Sequence, residues 1–132
     1  MELKSSWLLC TYMKVDDVKI IDAIIVELNH FSFSRSSISY QYLIEAILLV
    51  VKDPTLLKNF NKNIYEPIAK KYHTKPKNVQ WSLSKLINIM YSNTSSDVIY
   101  DYFKFFEDEK PTLKFFIVSV ARNVYDSQLI FY

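Results

Sequence analysis

The chain has 132 residues, half of them hydrophobic and 16% aromatic, which is ample for one core, and its formal charge of +2 is small but unevenly placed. It contains no glycine, which excludes a Walker loop, a dinucleotide fingerprint and a glycine-flanked nucleophile elbow. One cysteine, Cys10, and two histidines, His30 and His73, cannot furnish a tetrahedral zinc site, so neither metal nor cofactor is expected.

From the N-terminus, Trp7-Leu-Leu-Cys-Thr-Tyr-Met13 is an apolar run too short for a secretory signal, and Leu9 is not the small residue that lipoprotein processing at Cys10 requires. Residues 1–21 are expected to form an extension that packs on the domain as a helix or strand, or that mediates self-association. The expected location is cytoplasmic, with Cys10 reduced and no membrane span. Periodicity then predicts helices over 18–28, 39–52, 55–61, 64–72, 77–91, 95–106 and 112–125. Asp53-Pro54 ends one helix and begins the next. Turns fall at 29–30, 34–37, 92–97 and 108–111, where Asn, Ser, Asp and Pro must do what glycine does elsewhere. The expected architecture is a single all-α domain over 1–132, compact, with six to seven helices. Asp97, Asp101 and Glu107-Asp-Glu109 lack a convergent partner and read as solvated helix ends, so no enzyme is expected. At the C-terminus, Leu129-Ile-Phe-Tyr132 is apolar enough to pack back or meet another protomer.

Residues 64–91 carry the most information. Between Lys58 and Tyr91 seven lysines face one carboxylate, Glu66, a local charge of +6 that leaves the remainder near −4. Such local potential attracts phosphate polyanions and displaces their counterions. Ile64, Tyr65, Ile68, Ala69 and Tyr72 recur three and four apart, placing Glu66, Lys70 and Lys71 outside, with Pro67 tolerable only in a first turn. His73-Thr74-Lys75 then breaks the stripe, and Pro76 suits the first position of a second helix. There Val79, Ser82, Leu83, Leu86, Ile87 and Met90 point inward, leaving Lys77, Asn78, Gln80, Trp81, Ser84, Lys85 and Asn88 outward or flanking. Two helices joined by about three residues suit a helix-turn-helix, whose second helix enters the major groove. Ala69 is small enough for a close crossing, and Val79 would plug the angle.

In order and with near-equal spacing, Ile38-Ser-Tyr-Gln-Tyr-Leu-Ile-Glu-Ala-Ile47, Ile64-Tyr-Glu-Pro-Ile-Ala-Lys-Lys-Tyr72, Lys110-Pro-Thr112 and the segment from Phe116 to Ala121 resemble one family. That family is the C-terminal effector domain of the stage 0 sporulation protein A, and the likeness runs from about Asp22 to Val124. Residues 22–124 are thus expected to be the effector-like domain. The resemblance implies an all-helical domain of about six helices that binds duplex DNA, often as tandem copies, to control transcription. The family's full-length regulators carry a phosphate-accepting receiver before this domain, and the twenty or so residues preceding the likeness leave no room for one, so switching through the usual aspartate is not expected.

The resemblance also implies arginines at the positions of Asn78, Trp81 and Ser84, a glutamate at Gln80 and a histidine at Lys85, and none of these identities is present. Arginine is the commonest partner of guanine, whereas Asn and Gln pair best with adenine, so a preference leaning towards A·T is expected. Lys70, Lys71, Lys75 and Lys77 can hold phosphates as point charges. The candidate DNA-binding set is therefore Lys70, Lys71, Thr74, Lys75, Lys77, Asn78, Gln80, Trp81, Ser84 and Lys85. Trp81 has three readings: apolar contact with a thymine methyl, burial against a partner protein, or folding back onto the domain. Two functions remain open. One is a DNA-binding transcriptional regulator of altered specificity, alone, as a homodimer or as tandem copies. The other is an interaction module of the same fold that no longer reads DNA and acts through Trp81 and the apolar termini.

Overall fold

The computed structural model describes residues 17–104 and 110–129, and among these the regular structure is entirely helical. The expectations for residues 1–16, for Glu107-Asp-Glu109 and for residues 130–132 lie outside the described residues. Helix α1 covers 17–28 of them, α2 is Ile38–Lys52, α3 Glu66–Lys71, α4 Pro76–Asn93, α5 Ser96–Phe103 and α6 Leu113–Leu129. No helix among the described residues is long and apolar enough to cross a membrane.

Helix α2 is the centre. It is apolar almost all round, which suits only a helix enclosed by others, and it buries Leu43, Ala46, Ile47 and Val50 against α6, α4 and the segment leading into α3. Its N-terminus is capped by Ser37, whose hydroxyl accepts from the Tyr40 N–H at 3.2 Å. Asp17 pairs with Lys52 at 3.1 Å and ties the start of the described part of α1 to the end of α2.

A cluster of aromatic rings closes the end of the domain formed by residues 30–33, α5 and α6. Phe31 stacks on Phe103 at 5.8 Å and meets Tyr102 and Phe116 edge-on at 4.9 and 5.1 Å. Two inner tyrosines have paired hydroxyls: Tyr91 donates to the Pro111 carbonyl at 2.8 Å, and half-buried Tyr102 donates to Glu27 at 2.6 Å. Burial pushes the Tyr65 hydroxyl up to about 12 and raises Tyr91 and Tyr102 as well.

The segment before α3 departs from the expected pair of α-helices. Asp53 caps a 3-10 helix over Pro54–Asn59, a π-helical turn follows over Asn61–Tyr65, and α3 continues directly from it. Proline explains the change. Pro67 has no N–H and its ring crowds the carbonyl four residues back, so the preceding turn widens and the Glu66 N–H bonds the Asn61 carbonyl, five residues behind.

Two left-handed residues end helices where other proteins place glycine. His73 has φ 56° after α3 and Lys104 φ 60° after α5. At His73 the Thr74 N–H reaches the Ala69 carbonyl at 2.8 Å and the His73 N–H reaches Lys70 at 3.4 Å, a Schellman closure that satisfies the last carbonyls of α3. A side chain in this region is disfavoured, so His73→Gly is expected to stabilise the domain by about 0.5–1 kcal/mol, the left-handed relief less the added freedom of the unfolded chain. A rise in the urea midpoint at unchanged slope reads this out, and a fall means that the imidazole supports the turn.

Candidate nucleic-acid interface

Helices α3 and α4 pack against each other through the apolar stripes that both turn inward. Ala69 is 2% exposed and Val79 fully buried, with Ile68, Leu83, Ile87 and Met90 continuing both stripes inward. Four residues, Tyr72 to Lys75, separate the helices. Lys75 is the extended residue before α4 and Pro76 its first position, where a missing N–H costs nothing. The platform beneath is α2, which packs on both helices and on α6.

With both stripes inward, the opposite face is solvated. Lys70, Lys75, Lys77, Asn78, Gln80, Trp81 and Lys85 are exposed, while Thr74 and Ser84 are half-buried at its margins. No ion pair among the described residues involves Lys70, Lys75, Lys77 or Lys85. Lys71 is different. Its ammonium is held by the Glu45 carboxylate of α2, which also accepts from the Tyr72 hydroxyl at 3.3 Å, and the hydrogen bond to Glu45 raises Lys71 above the ordinary lysine range. Lys71 therefore fastens α3 to α2, and a phosphate would have to compete with Glu45 for it.

Two further contacts qualify the base-reading residues. The Asn78 carboxamide nitrogen donates to Thr74 Oγ1 at 3.1 Å, which takes one of its two N–H donors and leaves the other, with Oδ1, for a two-bond pairing with adenine. Trp81 does not fold back onto the domain. It is 65% exposed, and the Lys85 ammonium lies 5.0 Å from its ring centroid, a cation–π contact between residues one turn apart that holds the indole upright. Ile89, one turn further, is also exposed, so Trp81, Lys85 and Ile89 form a ridge along α4.

A groove of about 700 Å³ runs beside this ridge, between α4 and residues 31–39. Arg35 lines it, a residue that charge and periodicity gave no reason to join to the helix-turn-helix, because the pairing is set by contacts more than forty residues apart in the chain. Among the described residues no three His, Cys, Asp or Glu side chains gather as a metal site would require.

Compared with known families, the chain matches the one described as sporulation initiation factor Spo0A, C terminal, over residues 24–124. The match includes α2 to α5 whole, the turn at His73 and most of α6.

Proposed function

This chain belongs to the Spo0A C-terminal family, DNA-binding effector domains of transcription regulation in sporulation, and from that premise we propose that it binds duplex DNA through α4 with a base preference of its own. The single observation that carries the reading is the outward face of α4 and its approach, where Lys70, Lys75, Lys77 and Lys85 surround Asn78, Gln80 and Trp81 with no carboxylate among them. Lysines set the register on phosphates, and the neutral amides and indole face the bases. Gln80 and Asn78 pair with adenine edges, Asn78 through Oδ1 and the N–H not given to Thr74, and the indole offers apolar surface to thymine methyls. The preferred site is accordingly rich in A·T, and a protein so occupied works where the chromosome is.

Fluorescence anisotropy on A·T-rich and G·C-rich duplexes across a salt series tests this. Four lysine–phosphate contacts contribute about −3.6 to the log–log slope, and the A·T-rich duplex binds more tightly. Absence of binding at low salt defeats the proposal and supports the interaction reading, which the exposed ridge of Trp81 and Ile89 favours, since an upright indole is a typical interface anchor.

A further inference from the structure

The groove beside α4 has a second wall, and it is fastened to the first at both ends. At one end the Ser32 N–H donates to Thr94 Oγ1 at 3.0 Å, just past α4. At the other, Ser39 Oγ and Ser82 Oγ lie 2.5 Å apart, linking the first turn of α2 to the middle of α4. Between these points the chain turns tightly, with Ser37 Oγ on the Ser34 carbonyl at 3.1 Å, and Phe33 is set against Phe116 and Tyr40 at 6.0 and 5.7 Å. Arg35 stands at the outside of this turn, exposed, with its guanidinium on the Asn29 carboxamide. The charged residues lining the groove are Arg35 on one wall and Lys85 on the other, and no carboxylate lines it.

We infer that this wall is a second contact to the DNA backbone, in which Arg35 holds a phosphate beside the groove that α4 enters. The inference rests on the DNA-binding reading and deepens it. Charge complementarity selects the occupant: two cations of opposite walls suit a phosphodiester strand, and the planar guanidinium grips phosphate oxygens in pairs. Continuity selects duplex over an acidic peptide, because Trp81 and Lys85 belong both to the groove and to the face of α4. The clamps at Ser32 and Ser39 keep Arg35 in place before DNA arrives, so little ordering opposes the contact.

Anisotropy with the full chain tests it. Arg35→Ala is expected to weaken binding about eightfold at 0.1 M salt, equally on every duplex sequence, and to flatten the slope by about 0.9, the signature of one lost phosphate contact. Arg35→Lys retains the slope, and Arg122→Ala on α6, where the arginine pairs with Asp126 at 3.9 Å, changes neither quantity. Should Arg35→Ala unfold the turn, Ser34→Glu applies the same test by adding a negative charge on that wall, and weakened binding with a flatter slope supports the contact. Wild-type slopes in Arg35→Ala and Ser34→Glu, with binding still lost on removing Lys70 and Lys77, overturn this contact and leave α4 as the interface. Binding of polyglutamate without binding of duplex overturns both readings.

Discussion

Removing Lys70 and Lys77 together, as Lys70→Ala with Lys77→Ala, is expected to lower affinity for duplex DNA about sixtyfold at 0.1 M salt and to flatten the salt slope by about 1.8. The two residues bracket the turn, one at the end of α3 and one in the first turn of α4, and neither takes part in an ion pair among the described residues. Their loss therefore leaves no buried partner stranded, and melting behaviour should stay close to wild type. Lys71→Ala is the contrast within the same lysine run. Its ammonium already belongs to Glu45, so the salt slope should hardly move while the α2–α3 contact weakens. Equal effects of the Lys70 and Lys71 changes on the slope would mean that the patch acts by total charge alone.

Phe116→Ala is expected to destabilise the domain by about 3–5 kcal/mol, the cost of deleting a fully enclosed aromatic ring that the surroundings cannot refill. Phe116 is 0% exposed and its ring meets Phe31, Phe33 and Phe103 between 5.1 and 6.0 Å. It thereby joins α6 to α5 and to the segment that carries Arg35. A loss of this size is a large share of the roughly 5–15 kcal/mol that holds a domain of this kind together. Urea unfolding should show a much lower midpoint, with Phe116→Leu in between because it keeps most of the volume. A midpoint unchanged by Phe116→Ala would mean that the aromatic cluster is not a cooperative part of the core.

The helix faces of this protein were written in its sequence because burial repeats with the helical period. The positions expected inside α4, from Val79 to Met90, are buried or half-buried, and those expected outside are exposed apart from half-buried Ser84. The small residue at 69 and the branched residue at 79 are likewise buried. Hydrogen-bond ladders were not legible. The 3-10 and π turns before α3 keep a helical face while changing the ladder, and periodicity sees only the face. Helix α5 ends at Phe103, earlier than expected, because Lys104 takes the left-handed conformation without the glycine that would have announced it. Pairings distant in the chain were equally hidden: Glu45 with Lys71, Ser39 with Ser82 and Ser32 with Thr94 join residues whose partners nothing local specifies.

A backbone without a single glycine has a thermodynamic consequence for recognition. Among the described residues its bends are enforced by capping hydroxyls at Ser37 and Ser95, by Asp53, and by residues held left-handed against their preference, so few conformations of this part remain to be surrendered when a ligand docks. For the described residues association is then that of a stiff body with its target, and their share of the heat-capacity change on complex formation reports the surfaces brought together.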